Sequence, residues 1–306
     1  MIYSLILTTL MFGAMFSVLT VSLNLQYARG GMINFGTVAY FAAGAYAYAI
    51  VTQEPPSGLD QYALGLNAPW WIGFIAAGIA AMVFAVITGW PTLRLRGEYL
   101  ALTTFAFAEV FHSILLNERR IGNGSVGMAN VERPDPAVLG LDDTLAYTAA
   151  ACVLMLLTAW VFHRLLASPY GRLVDATHND EIAAESVGKN TARVRLQIFV
   201  ISAIPIGFAG ALYAMITTLV APALFTAEVT FFVWIALALG GERTILGAIL
   251  GTMALVFFQE AVRMIPFETV RSAQIAASVE EVITGILFII VLRWQPWDRL
   301  ARKATT

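Results

Sequence analysis

The stretch LQIFVISAIPIGFAGALYAMITTLV occupies residues 196–220. It contains no Asp, Glu, Lys, Arg or His, and the uncharged run continues to Ala227. A helix that crosses the hydrocarbon core of a bilayer needs about 20 mostly apolar residues, and this run exceeds that length. Thr144 to Phe162 is a second run without charge. Between the two lies a different kind of sequence. From Ser168 to Leu196 there are eight charged residues: Arg172, Asp175, Asp180, Glu181, Glu185, Lys189, Arg193 and Arg195.

Composition extends the reading to the whole chain. Of 306 residues 59% are hydrophobic and 12% charged, and the mean hydropathy is +0.75. Soluble domains are about 45–50% apolar and about 25% charged, so this chain has too little charge to cover a soluble surface. The fold class is therefore all-α, a polytopic bundle of transmembrane helices. A β-barrel needs segments of about ten residues that alternate in polarity. The continuous Ala-, Leu-, Ile- and Gly-rich runs here argue against one.

Nine spans are expected, at 2–23, 35–52, 70–92, 98–117, 144–166, 196–220, 228–240, 246–264 and 276–293. The 228–240 run is short enough to be re-entrant, and Gly30, Gly31 and Gly36 are placed to break the chain near the second helix. No soluble domain or long linker is evident, so residues 1–306 read as one domain. The N-terminal run has no basic stretch before it and reads as a retained helix, not a cleaved signal peptide. The single cysteine, Cys152, reads as a buried, inert thiol.

Lys and Arg near helix ends set orientation. The middle segment carries Arg164, Arg172, Lys189, Arg193 and Arg195, the tail Arg293, Arg299, Arg302 and Lys303, and the turn PTLRLRGEY Arg94 and Arg96. Placing these in the cytoplasm puts Glu118–Asp143 and the N-terminus outside. The bias survives Arg119, Arg120 and Arg133 in that outer loop.

Within the charged segment, HNDEIAAESVGKN reads as a short capped helix. Asn179 suits the N-cap, Asp180 and Glu181 fall in the dipole-favoured first turn, and Gly188 stands where a left-handed residue would end the helix. Ile182, Ala183, Ser186 and Val187 form one small, weakly apolar face. Two roles remain open on these grounds: a solvated connector, or a docking element.

The segment SPYGRLVDATHNDEIAAESVGKNTARVRL resembles the cytoplasmic coupling loop of branched-chain amino-acid ABC permeases of the LivM type. Ser168, Pro169, Tyr170, Gly171, Arg172, Glu181, Ala183, Ala184 and Gly188 match that motif. The pieces LNLQYARGGMINFGTVAYFAAGAYAYA, LRLRGEYLALTTFAFAEVFHSILLN and ALALGGERTILGAILGTMAL are similar to other family segments, in the same order. Departures are Arg243 where Gly is usual, MINFG for LSLG, and GNGSVGM in the outer loop.

The resemblance implies a permease subunit in the bacterial inner (plasma) membrane, part of an ATP-driven importer of branched-chain or other small neutral amino acids. A urea or short-amide importer is the near alternative. A stand-alone secondary transporter or a membrane enzyme is the distant one. Residues 168–195 would be the coupling loop, with Asp180, Glu181, Ala183, Ala184, Glu185 and Gly188 meeting the ATPase. Implied partners are a second homologous permease, two ATP-binding subunits, an external solute-binding protein and the lipid bilayer. ATP and Mg would sit on partner chains. In keeping with this, the sequence contains no G-x-x-x-x-G-K-[ST] phosphate loop.

Gly31, Asn34, Gly36 and Glu109 are candidates for the translocation pathway. Gly30, Gly31, Gly36 and Gly44 suit either an interrupted helix or close helix packing, as do Gly240, Gly241, Gly247 and Gly251. Glu109 is ionisable at membrane depth, by default a functional position; with His112 it equally suits an interhelical hydrogen bond. Glu260 and Arg263 are spaced to pair, and Glu228, Glu280 and Glu281 fall near helix ends. Trp70, Trp71, Trp294 and Trp297 read as interfacial anchors. His112, His163 and His178 have no metal-ligand spacing, and no basic patch of nucleic-acid type is present.

Overall fold

The computed structural model describes residues 2–56, 61–95, 97–135, 142–242 and 244–263, with 282–283, 285–286 and 289. Among these, seven helices are long and apolar enough to cross a membrane. The expected span 276–293 lies outside the described residues save those last five, and Glu280, Glu281, Trp294 and Trp297 lie wholly outside them.

In chain order the helices are α1 (Ile2–Asn24), α2 (Thr37–Thr52), α3 (Trp70–Thr92), α4 (Glu98–Asn117), the single turn α5 (Arg119–Gly122), α6 (Asp143–Ala167), α7 (Pro169–Asn179), α8 (Glu181–Ser186), α9 (Thr191–Thr217), α10 (Ala227–Gly240) and α11 (Ile245–Arg263). α9 starts at Thr191, not at 196, because the Asn190 side chain caps it, accepting from the Arg193 N–H at 2.9 Å. The first spanning helix continues past Asn24 as a π-turn, Leu25–Arg29.

Two groups of helices share the core. α2 packs between α3 and α9, and α1 packs against α6 and α11, with α9 and α10 alongside. Close approach comes from small residues. A Cβ on Gly44 would collide with the Gly207 backbone, and one on Gly210 with the Phe41 carbonyl. Several buried hydroxyls are satisfied within their own helix. Thr52, Thr92, Thr158 and Thr252 each donate to the carbonyl four residues back.

α2 is the innermost helix, with 13 of its 16 residues buried. At 1.5 Å per residue it is about 24 Å long, short of a hydrocarbon core of about 30 Å. Residues 30–36 complete the crossing as non-helical chain. Irregular backbone is tolerated at that depth only where protein buries it, and Met32, Asn34 and Gly36 are all buried.

The two ends of the bundle differ. One carries α7, α8 and the turn at Gly30–Gly31. The other carries 53–56, 61–69 and 118–135, tied by a two-stranded ribbon: β1 (Met128–Ala129) runs antiparallel to β2 (Leu219–Val220), Met128 opposite Val220. The start of α1 belongs to this second end, where Thr148 Oγ1 donates to the Leu7 carbonyl at 3.4 Å. The described residues 118–135 and 175–190 thus lie at opposite ends, as the charge bias requires.

Candidate functional site

The non-helical segment 30–36 is held by side-chain amides. Asn34 and Gln26 are both 0% exposed. Asn34 Nδ2 donates to Gln26 Oε1 (2.8 Å), Gln26 Nε2 donates to Ser202 Oγ on α9 (2.6 Å), and the Gly36 N–H donates to Asn34 Oδ1 (2.7 Å). The Trp234 indole of α10 donates to the Asn34 carbonyl at 3.1 Å. Thr104 of α4 accepts from the Phe35 N–H (3.0 Å), and Thr230 of α10 accepts from the Val38 N–H (3.1 Å). The N-terminus of α2 therefore finds its partners on two other helices, α4 and α10. Trp234 stacks on Phe35 with ring centres 5.1 Å apart.

Of the candidate pathway residues, Gly31, Asn34 and Gly36 fall on this one segment. Asn34 is fully enclosed and braces the segment. Glu109 stands on α4 beyond Thr104, half-buried, with no hydrogen bond or ion pair among the described residues. His112, one turn on, donates through Nε2 to the Pro222 carbonyl at 3.1 Å; for His112 the interhelical bond is the observed role. The spacing of Glu260 and Arg263 gives their ion pair, at 3.1 Å. Sequence reasoning missed Gln26, Ser202 and Trp234. Gln26, an amide inside an apolar run, was the available signal.

The charged segment folds as α7 and α8. Ser168 caps α7 by accepting from the Tyr170 N–H, with Pro169 in the first turn. The cap of α8 is Asp180, which accepts from the Ala183 N–H at 2.9 Å. This corrects the assignment to Asn179, which is instead the last residue of α7. The Asp180 backbone is extended (φ −150°) while Asn179 remains helical, and a cap must be extended. Gly188 has φ +80°. The Gly188 and Lys189 N–H groups donate to the Glu185 and Ala184 carbonyls (2.9 and 3.1 Å), the pairing of a Schellman end.

The faces of α8 divide cleanly. Ile182 and Val187 are 79% and 72% exposed, and Ala183 and Ser186 are exposed with them. Ala184 is only 7% exposed, packed against its own chain. Glu181 and Glu185 both accept from the Thr191 hydroxyl (3.2 and 2.7 Å), and Glu181 lies 3.8 Å from Arg195. These bonds fasten α8 to the first turn of α9.

α7 also grips the turn at Gly30–Gly31. The His178 ring lies against Gly31, so a Cβ at 31 would overlap Nδ1. Arg29 reaches Asp175 at 3.4 Å. A cavity of about 160 Å³ separates the turn from α8, lined by Gly30, Gly31, His178, Glu181 and Arg195 among others. One end of the bundle thus joins the charged segment directly to the chain that begins α2.

The family model of the branched-chain amino acid transport system, permease component, matches residues 5–292. The chain belongs to this permease family. The chain is 32% identical over 271 residues to the high-affinity branched-chain amino acid transport permease LivM of Escherichia coli K12, covering 80% of this chain and 61% of that protein. It therefore spans about three fifths of the length of that relative. The probable LivM of Methanocaldococcus jannaschii is 23% identical, covering 96% of this chain and 92% of that one. LivH of Escherichia coli K12 is 25% identical, covering 95% and 92%. No solved structure gives a significant match. As a permease of this family with seven helices among the described residues long and apolar enough to cross a membrane, the chain is a multi-pass protein of the inner membrane.

Proposed function

We propose that this permease is one membrane subunit of an ATP-driven importer for branched-chain or other small neutral amino acids. α7 and α8 form its cytoplasmic coupling segment. The observation that carries the reading is the continuity from α8 to α2. The exposed face of Ile182, Ala183, Ser186 and Val187 is free for an ATPase subunit, while α7 holds the turn at Gly31 from which the innermost helix is fed. Closure of paired ATPases on ATP would press on α8, shift α7, and move segment 30–36 against α4 and α10. That displacement is the alternating-access step assigned to this chain.

In this reading Asp180 and Gly188 shape the docking helix, and Ala183 leaves room for close approach. Glu181 and Glu185 keep the helix on α9, and ATP and Mg act on the ATPase chains. A second permease resembling LivH would complete the membrane core, with Glu109 and the exposed side of α4 toward the shared pathway. An external binding protein would deliver substrate at the end carrying β1 and β2.

The test is reconstitution. Liposomes holding this chain, its partner permease and ATPases should take up labelled leucine only with ATP and the binding protein. Uptake by this chain alone without ATP would contradict the proposal, and ATP-driven uptake of urea in place of leucine would change the substrate.

A further inference from the structure

A second cavity, of about 660 Å³, opens at the same end of the bundle between α3 and the start of α9. Its apolar wall is Gly89, Leu93 and Leu196, and its rim carries Trp90, Arg94 and Arg193. Glu181 and Glu185 of α8 also reach it, but both are engaged by Thr191, and Glu181 by Arg195 as well. Arg94 and Arg193 are exposed, and neither side chain has a hydrogen bond or ion pair among the described residues.

The setting is the membrane boundary. Trp90 is 66% exposed in the last turns of a spanning helix, and Tyr99 is 72% exposed in the first turn of the next. Amphipathic rings collect at headgroup level. Below Trp90, Ile87 and Val83 continue one exposed apolar stripe down α3, 60% and 47% exposed. A cation pair at the headgroups above an acyl-width stripe is the pattern of a phospholipid seat. A guanidinium fork matches phosphate oxygens two at a time.

We propose that this cavity binds the headgroup phosphate of an anionic phospholipid through Arg94 and Arg193, its acyl chain lying along Val83, Ile87 and Trp90. The choice of leaflet rests on the cytoplasmic placement of α8 proposed above, where anionic lipids face basic groups. Because α8 borders the same cavity, the lipid braces the coupling helix against α3.

The test uses the full-length chain in detergent, stripped of lipid and without ATPase, so its result is independent of the transport reading. Retention of labelled phosphatidylglycerol and phosphatidylcholine is measured, with inorganic phosphate as competitor. Phosphatidylglycerol should be held and phosphatidylcholine not. Arg94→Gln or Arg193→Gln should weaken retention about fivefold and the pair about thirtyfold. Arg133→Gln at the opposite end should leave it unchanged. Equal retention of both lipids, or unchanged retention in the double variant, overturns the proposal. Displacement of lipid by millimolar phosphate would assign the cavity to the free anion and overturn the lipid proposal.

Discussion

The His178 imidazole at the end of α7 seats against Gly31, on the turn that leads into α2, leaving no room for a Cβ. Gly31 also has φ +64°, a region where a side chain costs roughly 1–2 kcal/mol. Two independent constraints, steric and torsional, therefore fall on one residue. Both act where the charged segment meets the chain that begins α2.

This permits a double-variant test. Gly31→Ala should lower uptake strongly while the protein still inserts. Adding His178→Ala removes the colliding ring but not the torsional strain, so uptake should recover in part. The comparison is initial uptake rate per mole of purified complex. No recovery in the double variant would mean that the His178 contact does not matter to the turn.

The amide network sets a stability prediction. Ser202→Ala leaves the Gln26 Nε2 donor buried without its partner, a cost of about 1–3 kcal/mol. Asn34→Ala removes the acceptor for Gly36 and the donor for Gln26 together, so it should lower the melting temperature in detergent more than Ser202→Ala. Equal melting temperatures for parent and both variants would show that the network does not brace the segment.

Much of the fold was legible in sequence because span length and charge are local properties. The α3 and α4 boundaries follow directly from them, and the left-handed Gly188 was readable from its place after a short polar helix. The second helix was harder. Its expected start at 35 is close to Thr37, but nothing local tells that its N-terminus is satisfied by Thr104 and Thr230 on other helices. The bracing bonds of Asn34 were not legible, because its partner Gln26 and the Ser202 hydroxyl that Gln26 reaches are brought to it only by tertiary packing. Ala184 and Ala183 are adjacent and chemically identical, and only the packing of α8 on α9 separates the inward one from the outward one. Asp180 displaced Asn179 as the cap because α7 runs one residue further than a polar cluster alone reveals.

Orientation is open to direct measurement. In a Cys152→Ser background, Ser125→Cys should react with an impermeant thiol reagent on intact cells, and Ser186→Cys should not. Both positions are exposed, so accessibility within the fold does not confuse the result. The reverse pattern would invert the assignment of the two ends.

Docking through the outer face of α8 is the central claim, and Ile182 and Val187 test it most directly. Both side chains point away from the rest of the chain, so Ile182→Asp with Val187→Asp should leave insertion and melting unchanged. The measurement is the amount of ATPase subunit that co-purifies with the tagged permease complex, read beside ATP-driven uptake. The account predicts loss of most bound ATPase, or a complex that hydrolyses ATP without transport. Full co-purification with uptake at the parent rate would contradict it and leave α8 a solvated connector.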